Sequence, residues 1–150
     1  MSEYLPETLF FGGRLKDRKA LYMSSSGGIF TALSDVILDR EGAIACSTYN
    51  YEMYQQEFRL LTTSEERDKA RGSKYVQSVP GNIFKEAEQW LKTNIGRELL
   101  FVGTGCQAAG FRSYAESKGF RDHVIIVDLI CHGVPTENTI FFDNAWRCAA

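Results

Sequence analysis

Two short aliphatic runs limit the folds open to this chain: Leu99-Leu100-Phe101-Val102 and Val124-Ile125-Ile126-Val127-Asp128-Leu129-Ile130. Each is continuous rather than alternating and is bounded by turn residues, as in a strand buried on both faces of a parallel sheet. Residues 103–123 between them suit the helical crossover that parallel neighbours need. The turns that follow the runs are Gly103-Thr104-Gly105-Cys106-Gln107 and Cys131-His132-Gly133-Val134-Pro135. Both then lie just past strand carboxyl ends, where open α/β sheets bind their ligands.

The rest of the chain repeats the alternation. Thr8-Leu9-Phe10-Phe11 and Ala20-Leu21-Tyr22-Met23 read as short strands joined through Gly12-Gly13 and a charged turn, which predicts an N-terminal hairpin. After Ser24-Ser25-Ser26-Gly27-Gly28, the residues Ile29, Phe30, Leu33, Val36 and Ile37 recur at the spacing of one helical face. Gly42 is expected to end that helix. Strands are expected at 43–49 and 58–62, then a short helix capped by Ser64, and later a helix capped by Asn82 that buries Ile83, Phe84, Ala87, Trp90 and Leu91. The fold class is α/β, a single domain over 1–150 whose mixed, largely parallel sheet is flanked by helices.

Several stretches carry possible chemistry. The serine–glycine turn at 24–28 has small residues and a helix start, so its backbone N–H groups can approach an anion; a serine cap with tightly packed glycines is the alternative. Gly72-Ser73-Lys74-Tyr75 places a hydroxyl, a cation and an aromatic ring together, suited to a phosphate and a flat ring or simply to a surface loop. Cys106 falls in the first turn of a helix, where the dipole favours an anion, and is a candidate nucleophile, cluster ligand or redox partner, or else a buried hydrophobe. His132 beside Cys131 can move protons, hold a metal or orient a carbonyl. Asp128 inside an apolar strand is expected to be buried and to brace one of these turns.

Cys106 and Arg112 have the Cys-x5-Arg spacing of a cysteine phosphatase loop. Against that reading, Gln107–Phe111 look helical and no Asp-Pro acid loop exists, since the prolines are Pro6, Pro80 and Pro135. Cys46, beside Ile44 and Ala45, reads as a small buried hydrophobe, and Cys148 as incidental.

Composition closes off other classes. With 17 basic and 19 acidic residues the net charge is −2, so no nucleic-acid surface is indicated. No apolar run approaches the roughly 18 residues of a membrane span, and the first residues lack the features of a secretory leader, so a cytoplasmic protein without membrane insertion is expected. The four cysteines include no Cys-x-x-Cys pair, which argues against a zinc ribbon.

Taken together, Ser25-Ser26-Gly27-Gly28, Gly72-Ser73-Lys74-Tyr75, Gly103-Thr104-Gly105-Cys106-Gln107 and Cys131-His132-Gly133-Val134-Pro135 resemble a known family. It is the beta subunit of coenzyme F420-reducing hydrogenase and its related dehydrogenases, and the resemblance runs along residues 20–140. It implies a flavoprotein oxidoreductase in which FAD passes electrons between 4Fe-4S clusters and an acceptor such as the deazaflavin coenzyme F420. By motif match, Ser26, Gly27 and Gly28 would lie against the FAD phosphates, with Ser73, Lys74 and Tyr75 also lining the flavin site. Thr104, Cys106 and Gln107 would sit near the isoalloxazine or its cluster, Cys131 and His132 would close the same edge with Cys106 and Cys131 as possible cluster-side residues, and Cys106 and His132 are the candidate catalytic residues. Gly105 departs from the family's usual proline. Family members are longer and carry further cysteines, so this chain is expected to be the N-terminal half of such an enzyme. Its partner would be a redox protein or the missing C-terminal half. Cys106 and Cys131 alone cannot hold a four-iron cluster. A truncated, non-catalytic remnant or assembly module is the alternative from another class.

Overall fold

The computed structural model describes residues 9–134. Thr8, Pro135, Cys148 and the tail at 144–150 lie outside them. The elements run α1 (Arg18–Tyr22), α2 (Ile29–Asp39), β1 (Ala43–Asn50), β2 (Gln55–Leu61), α3 (Ser64–Lys69), α4 (Ile83–Thr93), β3 (Leu99–Thr104), α5 (Gly105–Lys118) and β4 (Val124–Leu129), with one 3-10 turn at Arg121–His123. The sheet order is β2-β1-β3-β4. β1, β3 and β4 are parallel, and β2 pairs antiparallel with β1 as a hairpin. The predicted mixed, largely parallel α/β sheet is therefore present.

Each sheet face has its own core. On one, Ala43, Ala45, Phe58, Leu99 and Phe101 pack under Ile83 and Ala87 of α4 and Phe111 and Ala115 of α5. Phe101 is stacked between Phe111 and Phe58, at centroid distances of 4.2 and 5.4 Å. On the other face, Ile44, Cys46, Leu100 and Val102 pack with Ile37 of α2 and with Leu61 and Ala70. Cys46 is buried, as its apolar neighbours implied.

The N-terminal hairpin is not formed. Residues 9–16 have no regular structure, and Ala20–Tyr22 lie in α1, which starts where the Asp17 carboxylate accepts a hydrogen bond from the Ala20 N–H. A four-residue apolar run fits a helical turn as well as a strand, and an acidic cap settles it here. The cap of α3 is Thr63 rather than Ser64: its hydroxyl accepts from the Glu66 N–H while the Glu66 carboxylate accepts from the Thr63 N–H.

α2 meets the sheet on an unexpected stripe. Its buried residues are Thr31, Ser34 and Ile37, while Ile29, Leu33 and Val36 remain exposed. The small polar stripe allows α3 to dock through Arg67, which is only 3% exposed. Its guanidinium donates to the Thr31 carbonyl at 3.0 Å and pairs with Asp35 at 2.7 Å and Asp68 at 2.8 Å. A buried charge must be matched in this way.

Candidate functional site

The topology sends every predicted site segment to one side of the sheet. α2, α4 and α5 each connect to a parallel strand, so their N-termini share the edge where β1, β3 and β4 end. Ser24–Gly28 opens α2, and Gly72–Val79 meets that turn at Ser73 and ends beside β2, where Val79 bridges Glu57. Thr104–Gln107 opens α5, and Cys131–His132 follows β4.

The first two segments touch. The Ser73 N–H donates to the Ser25 Oγ at 3.0 Å, and the Ser73 hydroxyl donates to the same oxygen at 3.2 Å. Beyond Ser73 the loop is tied to the sheet. The Ser78 and Ser47 hydroxyls lie 2.6 Å apart, the Val79 N–H donates to the Gln56 carbonyl and the Phe58 N–H to the Val79 carbonyl. Lys74 faces back towards α3, with its Nζ donating to the Ala70 carbonyl at 2.6 Å and the Gly72 carbonyl at 3.1 Å. Partial burial lowers the Lys74 pKa, while nearby Cys46 raises it by a smaller amount. Tyr75 is 73% exposed, so its ring is open to a partner.

The turn itself is built by close approach. A Cβ on Gly27 would come within 2.5 Å of the Gly13 carbonyl oxygen, and the Leu15 N–H donates to the Gly27 carbonyl at 2.8 Å. Gly28 has φ +72°, and a side chain there would collide with Leu15. The glycines thus serve packing against residues 13–15. The residue at the N-cap is Gly28, not a serine, and no side chain caps the helix. Its positive end is therefore left to the turn of Ser25 and Ser26, both of which are exposed. Ser26 also holds φ +53°, an uncommon conformation for a residue with a side chain.

At the second pair of strand ends, the Thr104 N–H donates to Gln107 Oε1 at 3.0 Å, and Thr104 Oγ1 lies 3.4 Å from Cys106 Sγ. Gln107 therefore serves first to hold the start of α5. Gly105 sits against the Asp128 carboxylate, which a Cβ would meet at 3.4 Å. Asp128 thus lies beside the α5 turn without a hydrogen bond to it among the described residues, and it is exposed rather than buried, because β4 lies at the edge of the described sheet. Thr104 pairs with Leu129, so Cys106 and Cys131 each follow the last paired residue of their strand by two positions. Both thiols and His132 are exposed. Among the described residues, no hydrogen bond joins this pair of turns to the Ser25–Ser73 pair.

Two alternatives meet this geometry directly. Residues 107–111 are α-helical and Arg112 is exposed, so no loop of amides rings an anion beside Cys106 and the phosphatase reading fails. Among the described residues no group of three His, Cys, Asp or Glu side chains gathers to hold a metal ion. A four-iron cluster, which needs four such ligands, does not fit these residues.

Arg67, the Thr31–Ser34 stripe and the Ser25 contact were missed in the sequence. Only the small residues at 31 and 34, out of place on an otherwise apolar helix, could have signalled them.

Residues 10–83 match the family described as coenzyme F420 hydrogenase/dehydrogenase, beta subunit N-term. Over that stretch the chain is similar to the family's N-terminal region. The matched stretch contains both the Ser25–Gly28 turn and the Gly72–Tyr75 loop. The chain is also 29% identical over 133 residues to a subunit of the F(420)H(2) dehydrogenase of Methanosarcina mazei, covering 87% of this chain and 35% of that protein. A chain in the F420-reducing [NiFe] hydrogenase complex from Methanosarcina barkeri has the same fold, with a TM-score of 0.68 and 22% identity over 85% of this chain and 45% of that one. The chain spans about a third of the length of this curated relative and under half of the solved chain. No helix among the described residues is long and apolar enough to cross a membrane.

Proposed function

We propose that this chain is the FAD-binding part of an electron-transfer oxidoreductase of the F420 hydrogenase/dehydrogenase beta-subunit type. The observation that carries the reading is the contact between Ser25 and Ser73, which joins an uncapped helix N-terminus to the loop bearing Lys74 and Tyr75. The residues present fit a flavin dinucleotide. Ser25, Ser26 and Ser73 offer exposed hydroxyls beside the positive end of α2, and the Tyr75 ring offers a stacking surface. When bound, the flavin supplies one- and two-electron transfer between a donor and an acceptor. The protein's part is to hold the diphosphate at the α2 turn. Cys106, Cys131 and His132 stand at the neighbouring strand ends of the same edge, with His132 available to move a proton.

A redox partner protein, or further chain of the same enzyme, would supply any 4Fe-4S cluster, and coenzyme F420 is the proposed exchange partner, since the relatives' names carry it as the species reduced in one and, in its reduced form, as the species dehydrogenated in the other. The test is to add FAD to the purified chain, remove the excess by gel filtration and read the visible flavin absorbance. Retained flavin that is lost in Ser26→Trp and in Lys74→Glu supports the assignment. A folded chain that retains none, alone and together with a longer beta subunit's remaining half, would favour a remnant that keeps the fold without the cofactor.

A further inference from the structure

We infer that Ser25, whose side chain no motif role calls for, is the positioning residue that sets how the Gly72–Tyr75 loop sits against the α2 turn; this rests on the reading of that junction as the flavin site. The loop is fixed at both ends. Lys74 ties its start to the C-terminus of α3 through the Ala70 carbonyl, and Ser78 and Val79 tie its far end to β1 and β2. Between those anchors, among the described residues, the hydrogen bonds that join the loop to the α2 turn are the two from Ser73, and both end on Ser25 Oγ.

Hydrogen counting adds a second point. An uncharged hydroxyl oxygen has two acceptor sites and one proton. The Ser73 N–H and O–H take both acceptor sites of Ser25, so the Ser25 proton is directed away from the loop. Ser25 is itself exposed. The latch therefore works only with a residue that accepts twice at this position. Threonine keeps that ability and alanine lacks it.

The test uses the whole 150-residue chain. Amide hydrogen exchange at Ser73 is measured without any flavin, and FAD retention is measured separately, in Ser25→Ala and Ser25→Thr. Two hydrogen bonds of ordinary net strength predict that Ser25→Ala speeds Ser73 exchange about thirtyfold and weakens FAD binding by a similar factor, with the melting temperature lowered by only several degrees. Ser25→Thr is expected to restore both. Unchanged Ser73 exchange in Ser25→Ala overturns the inference. Faster exchange in a protein whose wild type retains no FAD leaves the latch standing and instead removes the flavin reading. Faster exchange with unaltered FAD affinity overturns the positioning role.

Discussion

Cys46 offers a sharp test of the core. Burial pushes its thiol up to about 12, with Lys74 opposing by a smaller amount. An unfolded cysteine ionises at about 8.5. Below that pH both states hold the proton and the residue contributes no pH dependence. Above it the unfolded chain loses a proton that the folded chain keeps, so stability falls as pH rises, until the folded thiol itself titrates.

The expected loss is about 1.4 kcal/mol per pH unit, or about 2.7 kcal/mol by pH 10.5. Cys46→Ala removes this effect and costs about 1 kcal/mol for the emptied sulfur volume. Wild type should therefore be the more stable protein at pH 7.5, and the two curves should cross near pH 9.2, with the variant about 1.7 kcal/mol ahead at pH 10.5. The other side chains are common to both proteins, so the difference curve isolates the thiol together with its coupling to Lys74. Urea unfolding at several pH values reads it directly. Parallel curves with no crossing would mean that the thiol is not buried as the structure places it.

Arg67→Met keeps the buried stem but removes the bonds to Thr31, Asp35 and Asp68; because both carboxylates are about half exposed and regain water, a loss of about 2 kcal/mol is expected in chemical denaturation. Phe111→Ala, which empties one side of the Phe101 stack, should cost about 3–5 kcal/mol by the same measurement. Ser26→Gly relieves a left-handed backbone at φ +53°, so its melting temperature should rise slightly while retained flavin falls. Thiol labelling of the native protein should modify Cys106 and Cys131 and spare Cys46 until it unfolds.

The central strands were legible because their apolar runs are continuous. Strands β1 and β2 and helices α4 and α5 were also legible, from apolar runs and helical spacing. What the chain did not reveal was order within the sheet. An apolar run looks the same in a central strand as in an outer one, so Asp128 looked buried when its strand lies at the described edge. Local signals also misled at Ala20–Met23, where a nearby acid decides between turn and strand. The candidate site was legible as a shared edge, since α/β topology alone gathers strand ends there. Its contacts were not. Ser25 and Ser73 are 48 residues apart, and Arg67 and Thr31 are 36 apart, and no local pattern links them. The role of Lys74 shows the same limit, because its cation looked free in sequence and is bound to two carbonyls.

The central place of β3 has a dynamic consequence. Paired on both sides and sealed by the Phe101 stack, its amides at Leu100–Val102 should exchange only when the whole domain opens. β4 has a partner on one side among the described strands, and the middle of the Gly72–Val79 loop meets its neighbour through a single serine. Opening should therefore begin at β4 and at the Gly72–Val79 loop and spread inward, so that these parts breathe on a shorter timescale than the strands that hold the fold.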